Sequence, residues 1–183
     1  MIDNKVGLSM MRYDPDRHHR HSIRLRGYDY SRGGAYFITI CIYDRECLLS
    51  EINEEKVILS EVGSTVEAIW CDLPKRFPFI VLDEYVLMPN HLHGIVCFVD
   101  VDRLSNEASS KITLGKVLRT FKSLSGIQAN RLLERTEHPF WQRNYHDRII
   151  RDDQELGKIR AYIRQNPQNW EIDTENIDAS PTL

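Results

Sequence analysis

The chain has 183 residues, of which 42% are hydrophobic and 28% are charged, and its formal net charge is −3. This length suits one domain with flexible ends and is enough to bury a core. No apolar run approaches the roughly 20 residues that span a bilayer, and the N-terminus has no signal-peptide stretch, so we expect a cytoplasmic protein without a membrane contact. The four cysteines form no C-x-x-C pair, which argues against a structural zinc site or a disulfide framework.

Charge is distributed unevenly along the chain. Residues 1–34 carry seven Lys/Arg and four Asp/Glu, residues 35–110 carry five and thirteen, and residues 111–170 carry twelve and six. The tail from Glu171 holds four acids and no base. A face built from the N-terminal segment and residues 111–170 would be positive enough to bind phosphates, although a mixed solvated surface explains the same charges.

The first predicted elements are a flexible arm and a strand. Residues 1–22 are polar, and their basic and histidine residues suit a metal-chelating tract, a phosphate-binding tail or a plain polar end. Alternating apolar residues predict a strand over Ala35–Tyr43, and a loop follows around Glu51–Glu55.

A helix and two strands come next. Ser60 is a suitable N-cap for a helix that runs to Leu73, where the following proline stops it. The apolar runs Phe79–Met88 and His91–Val99 predict two strands that form a hairpin, because Pro-Asn between them favours a turn.

The second half of the chain predicts a helix, a strand and a last helix. After a polar loop over Asp100–Ser110, Thr113 caps a helix that runs to about Leu133. Trp141–Ile150 reads as a fourth strand of the sheet. Acidic residues then open a helix over 152–166, which ends before Pro167.

The order β-α-β-β-α-β-α predicts an α+β fold of the ferredoxin-like kind, with an antiparallel sheet and helices packed mainly on one face. We expect a flexible arm over residues 1–22, one domain over 23–170 and an acidic flexible tail over 171–183.

Two histidines and one glycine stand out in the segment MPNHLHG, residues 88–94. His91 and His93 are at i and i+2 of a strand, so their side chains project from the same face, where two imidazoles suit one divalent metal. A packed, hydrogen-bonded pair is the competing interpretation. Gly94 would leave room next to the pair for a ligand or a close backbone.

The last helix carries a tyrosine and an asparagine four residues apart. Tyr162 and Asn166 share a helix face with the apolar residues that should pack on the sheet, which directs a phenol and an amide towards that sheet. A core tyrosine with a C-capping asparagine explains the same pair. The competing tyrosine is Tyr145, in the predicted fourth strand.

These residues together resemble the HUH single-tyrosine transposases, and among them most closely the REP-associated tyrosine transposases. The resemblance covers roughly residues 24–170. It is carried, in chain order, by Arg26-Gly27-Tyr28-Asp29-Tyr30, AYFITIC, MPNHLHGIV, Phe121-Lys122-Ser123, Phe140-Trp141-Gln142, Tyr145-His146-Asp147 with Ile150-Arg151, and Tyr162-Ile163 with Asn166-Pro167.

The resemblance implies a metal-dependent endonuclease and strand transferase that acts on single-stranded or hairpin DNA of the REP type. His91, His93 and Asn166 would be the metal ligands and Tyr162 the nucleophile, which forms a 5′-phosphotyrosine link. Relatives in the wider group place a glutamine where Asn166 stands, and an amide oxygen serves in either residue. The implied metal is Mg²⁺ or Mn²⁺, and nickel, cobalt or zinc would also bind two imidazoles.

Several residues are candidates for contact with DNA. Arg119, Lys122 and Arg151 would neutralise phosphates, or are ordinary surface charges. His146 would lie near the site as a phosphate or metal-side contact, or has a structural role. Arg26, Tyr28 and Tyr30 combine charge with aromatic rings that stack on bases, or that pack beneath the first strand.

Two other functions remain compatible with the same residues. One is a non-catalytic, domesticated protein that binds hairpin or single-stranded DNA on the same fold, and the other is a hydrolase that activates water on the two-histidine site. The oligomeric state is open between a monomer and a homodimer that exchanges the tyrosine helix.

Overall fold

A computed structural model describes residues 34–99, 112–136 and 138–176. The predicted arm over residues 1–22, the candidate DNA contacts Arg26, Tyr28 and Tyr30, and the loop predicted over Asp100–Ser110 therefore lie outside the described residues. The elements in chain order are β1 (Gly34–Cys41), a 3-10 helix (Tyr43–Arg45), β2 (Ser50–Asn53), β3 (Lys56–Leu59), α1 (Glu61–Cys71), α2 (Leu73–Arg76), β4 (Ile80–Leu87), β5 (His91–Phe98), α3 (Leu114–Leu132), β6 (His146–Ile150), α4 (Asp153–Gln165) and a second 3-10 helix (Asn166–Ile172).

The main sheet has four strands in the order β4-β5-β1-β6, and every neighbouring pair is antiparallel. The first strand of the chain thus lies in the middle, between the third and the last strand of this sheet, which is the ferredoxin-like arrangement. The α+β fold predicted from the order of the elements is confirmed. No helix in the described part of the chain is both long enough and apolar enough to cross a bilayer.

The two faces of the sheet differ in what covers them. Alternate residues of β1 and β5, such as Ile38, Ile40 and Leu92, enter the main core with α1 and α3, and we call this side the helical face. The other side, the site face, carries His91 and His93, and α4 covers it through a small second cluster built on Ile95, Ile150 and Ile163. The helices are therefore divided between the faces, with α4 opposite α1 and α3.

A two-stranded hairpin, β2–β3, replaces the loop predicted around Glu51–Glu55. Its turn residues, Glu54 and Glu55, both have a positive φ, of 47° and 63°. Such turns normally use Asn or Gly, so two glutamates gave no sequence indication of a hairpin.

Two other predicted boundaries were wrong for local reasons. Pro74 does not end a helix but lies in the first turn of α2, where its missing N–H costs no hydrogen bond. The fourth strand begins at His146 rather than Trp141. Trp141 makes an isolated antiparallel bridge with Ile42, and the ammonium group of Lys122 bonds the carbonyl oxygens of residues 142, 143 and 144 between this bridge and the strand.

The start of the predicted acidic tail is packed onto the protein. The second 3-10 helix runs to Ile172, with Pro167 in its first turn, and Asp173 is buried. Residues 171–176 are thus part of the domain, and residues 177–183 lie outside the described residues.

Gly63 fixes how closely α1 approaches the chain before β2. A Cβ at this position would lie 1.8 Å from the carbonyl oxygen of Leu49, a backbone atom that no rotamer change moves. We expect Gly63→Ala to cost about 1–3 kcal/mol of unfolding free energy, or roughly 2–12 °C in Tm. Gly157→Ala is the matched control, because nothing lies within 4 Å of its Cβ position in α4. Thermal melts that show the same Tm for both variants would contradict the prediction.

Candidate active site

The two histidines of β5 meet on the site face, as their spacing predicts. Their ring centroids are 4.4 Å apart, and both side chains are buried. In the sheet, His91 pairs with Cys41 and His93 pairs with Thr39. The central strand β1 therefore sets the register of the pair.

Hydrogen bonds at Nδ1 orient both rings. Nδ1 of His91 donates to the Oδ1 of Asn90, at 2.8 Å, and Nδ1 of His93 is 2.8 Å from the hydroxyl of Thr39. The bond to Asn90 requires Nδ1–H on His91, which leaves a lone pair on its Nε2. This fixed tautomer is the form that binds a metal ion through Nε2.

Both imidazoles are held neutral. Burial lowers the pKa of His91 to about 3, and the carboxamide of Asn166 beside it acts in the opposite direction. Burial, and then the neighbouring His91, lower the pKa of His93 to about 3. Two neutral rings side by side are suited to share one cation.

Tyr162 lies directly against this pair. Its hydroxyl is 3.2 Å from Nε2 of His93, and its ring meets the ring of Phe37 edge-on, with centroids 5.9 Å apart. The residue is 45% exposed, so part of it can be reached from outside while its hydroxyl contacts the histidine. Burial and the nearby carboxylates of Asp173 and Glu175 raise the pKa of Tyr162.

The helix that carries Tyr162 is fixed to strand β4. Arg160 donates two hydrogen bonds to Asp83, at 2.9 and 2.5 Å, and Arg164 donates one to Glu84, at 3.1 Å. Asp83 and Glu84 are adjacent residues, and the β4–β5 register shifts between Leu82 and Tyr85. The bulge lets two consecutive acids reach α4, whereas a regular strand would point them to opposite faces.

Asn166 is the C-cap of α4 and is buried beside the histidines. Its Oδ1 and the Nε2 of His91 are buried atoms without a hydrogen-bond partner among the residues that the structure describes. Unpartnered buried polar atoms are costly, and a divalent cation between them would satisfy both. These residues therefore fit a metal ion.

Asp173 belongs to the same cluster, although the sequence analysis placed it in the flexible tail. One carboxylate oxygen of Asp173 and one nitrogen of each of His91 and His93 lie within 4.8 Å of one another. The Nδ2 of Asn166 donates to its Oδ2 at 3.0 Å. Pro167 lies in the first turn of the 3-10 helix that leads to Asp173, and no sequence feature pointed to this contact.

Glu175 and Asn90 hold this returning segment in place. The carboxylate of Glu175 pairs with Arg45 at 3.0 Å and accepts a hydrogen bond from the Cys41 thiol at 3.2 Å. The Nδ2 of Asn90 donates to the Glu175 carbonyl oxygen at 2.7 Å. Asn90, predicted only as a turn residue, thus connects His91 to the segment that carries Asp173.

The predicted DNA contacts are distributed over different parts of the structure. His146 is exposed on β6 and pairs with Thr39, so it continues the row that His93 and Thr39 begin on the site face. Arg151 is exposed between β6 and α4. Arg119 is exposed on α3, the helix that packs on the helical face, away from the histidines.

The ammonium group of Lys122 bonds three carbonyl oxygens of residues 142–144, and its contact with a phosphate stays a prediction. One other interpretation was wrong. Gly94 makes no room for a ligand: its missing side chain lies on the helical face, where a Cβ would be 2.8 Å from the ring of Trp70. The glycine serves core packing behind the site.

Comparisons with known proteins agree with this fold. No family model matches the chain. An uncharacterised protein of Haemophilus influenzae is 36% identical over 180 residues, which are 91% of this chain and 98% of that protein. A second protein of Haemophilus influenzae, described as a candidate REP-associated tyrosine transposase, is 25% identical over 144 residues, which are 76% of this chain and 73% of that protein.

A solved structure of a REP-associated tyrosine transposase bound to a REP hairpin shares the fold. It superposes with a TM-score of 0.57 at 18% identity, over 81% of this chain and 74% of that one. The resemblance to the REP-associated tyrosine transposases that was drawn from the sequence is confirmed: one candidate member is similar in sequence to this chain, and one solved member shares its fold. It belongs to the same family as the Haemophilus influenzae protein of 36% identity.

Proposed function

We propose that the chain is a metal-dependent, transposase-like endonuclease and strand transferase that cuts single-stranded DNA at hairpins through a 5′-phosphotyrosine link on Tyr162. One observation carries the proposal: Tyr162, a residue that is 45% exposed, places its hydroxyl 3.2 Å from Nε2 of His93, one of two buried, neutral histidines. A protein that only binds hairpins has no need of this arrangement.

The metal, Mg²⁺ or Mn²⁺, would be held by His91 and His93 from strand β5 and by Asn166 from the end of helix α4. When bound, such an ion polarises a non-bridging phosphate oxygen and stabilises the charge that develops at phosphorus. The protein supplies the rest: Asn90 and Thr39 orient the imidazoles, and the Arg160–Asp83 pair fixes the helix that presents the nucleophile.

The reaction is a transesterification. The Tyr162 oxygen attacks phosphorus in line and forms a P–O bond, while the bond from phosphorus to the 3′ oxygen breaks. The phenol proton leaves to solvent at the exposed edge of the ring, and the departing 3′ oxygen takes up a proton. Because the phosphodiester is preserved as phosphotyrosine, a 3′-hydroxyl can reverse the step and rejoin DNA without ATP.

The site supports a nucleophile that acts within one subunit. The ion pairs from Arg160 to Asp83 and from Arg164 to Glu84 join α4 to β4 of the same chain. We therefore propose that a monomer is sufficient for cleavage, and light scattering alongside the cleavage assay tests this against a homodimer.

The deciding experiment is a denaturing gel with labelled oligonucleotides. We expect the full chain to form a covalent protein–DNA adduct with a single-stranded hairpin substrate in Mn²⁺ or Mg²⁺, and none in EDTA. Fully paired duplex DNA of the same sequence is the substrate control. Cleaved DNA without an adduct would favour the water-activating hydrolase, and binding without cleavage would favour the non-catalytic hairpin binder.

A further inference from the structure

Asp173 is a buried carboxylate without a cationic partner among the residues that the structure describes. Its oxygens accept hydrogen bonds from the Asn166 amide at 3.0 Å and from the Glu175 backbone N–H at 2.7 Å. Burying a charge is costly unless it is paired, and two neutral donors do not neutralise it. The carboxylate therefore needs a cation in its surroundings.

Among the described residues, Asp173 shares its space with two side chains that could bind a metal ion, His91 and His93. One oxygen of Asp173 lies within 4.8 Å of ligand nitrogens of His91 and His93, and the Nε2 of His91 has no partner among the described residues. A divalent ion in this space would compensate the carboxylate and the free lone pair together.

We propose that Asp173 is an anionic ligand of the metal, so that the centre has two imidazoles and one carboxylate, with the Asn166 amide both adding an oxygen and orienting Asp173. This inference rests on the metal site of the proposed function and adds a residue beyond the tyrosine helix. Two nitrogen ligands favour Mn²⁺ over Mg²⁺, which prefers oxygen ligands. The carboxylate adds negative charge, so the ion is held before DNA arrives.

The segment that delivers Asp173 is built for this placement. Glu175 is anchored through its carboxylate to Arg45 and through its carbonyl oxygen to Asn90, while its N–H holds Asp173. The ring of Trp170 lies over His91, with centroids 6.1 Å apart. Trp170 before Asp173 and Glu175 after it thus hold the segment in place, and the carboxylate of Asp173 lies towards the histidines.

The test is Mn²⁺ binding to the DNA-free full chain, measured by calorimetry and by the electron paramagnetic resonance of free Mn²⁺. We expect Asp173→Asn to raise the Kd for Mn²⁺ by at least about tenfold. Glu171→Gln is the matched control, because it removes one exposed acid from the same segment and should change the Kd by less than twofold. Wild-type preference for Mn²⁺ over Mg²⁺ is expected in the same titrations.

A thermal melt without metal separates a ligand from a structural residue. If Asp173 is a ligand, Asp173→Asn has a metal-free Tm equal to or above that of the wild type, because it removes an unpaired buried charge, and Mn²⁺ raises the Tm of the variant less than that of the wild type. An unchanged Kd for Mn²⁺ in Asp173→Asn, or no Mn²⁺ binding by the wild type, overturns the inference. Mn²⁺ binding with the expected loss but without any DNA adduct would overturn the proposed function and leave this ligand assignment standing.

Discussion

Tyr162→Phe is expected to form no covalent adduct with hairpin DNA and to cleave it at least about 10⁴-fold more slowly than the wild type. The substitution removes only the hydroxyl that lies 3.2 Å from His93, and it keeps the ring that packs edge-on against Phe37. Because the side chain is 45% exposed, the lost hydrogen bond should cost no more than about 1 kcal/mol of stability. The adduct band on a denaturing gel measures the effect directly.

The control for this experiment is Tyr145, which is the competing tyrosine in the sequence analysis. Tyr145 packs at the edge of the main core rather than beside the histidines. Tyr145→Phe should therefore form the adduct at nearly the wild-type rate. Adduct formation by Tyr162→Phe, or its loss only in Tyr145→Phe, would show that the nucleophile has been assigned to the wrong residue.

The parts of the site that could be predicted from the sequence are those set by local periodicity. His91 and His93 share a face because strands alternate every second residue, and Tyr162 and Asn166 share a face because helices repeat every 3.6 residues. That α4 would cover the histidines followed from its apolar stripe, of which Ile163 is buried on the site face.

Asp173 and Asn90 could not be predicted in this way, because their roles depend on where the chain goes after α4. Nothing in the spacing of Asp173 indicates burial, and an acidic stretch near a terminus is usually solvated. Its position follows from the 3-10 helix after Pro167 and from the hydrogen bonds of Glu175 to Asn90 and Arg45. These are long-range contacts without a periodic pattern.

The remaining differences between the prediction and the structure come from residues that have a role uncommon for their type. Lys122 looks like a surface charge in the sequence, yet it is part-buried and caps three carbonyl oxygens. Glu54 and Glu55 adopt a backbone conformation that Asn and Gly usually supply. Residue type alone predicts the role that is most common for that type. Where a residue has another role, as Lys122 has, tertiary contacts determine it.

His91→Ala is the second variant with a large expected effect. It removes a ring whose Nε2 has no partner among the described residues and faces the proposed metal, so we expect adduct formation to fall roughly 10²–10³-fold at limiting Mn²⁺. Raising the Mn²⁺ concentration should restore little, because one of the two imidazole ligands is missing. Equal adduct yields for the variant and the wild type at limiting Mn²⁺ would remove the metal site from the mechanism.

Asn90→Ala should have a smaller effect than His91→Ala, and comparing the two variants separates a defect in metal binding from a defect in folding. Asn90 does not face the metal space but accepts the Nδ1–H of His91, which fixes the tautomer and direction of the ring. We expect this variant to need about 10–100-fold more Mn²⁺ for half-maximal adduct formation and to approach the wild-type rate when the metal is saturating. If His91 is a ligand and Asn90 only orients it, excess Mn²⁺ should rescue Asn90→Ala but should not rescue His91→Ala. If excess Mn²⁺ rescues neither variant although both melt like the wild type, Asn90 acts through something other than the ring of His91.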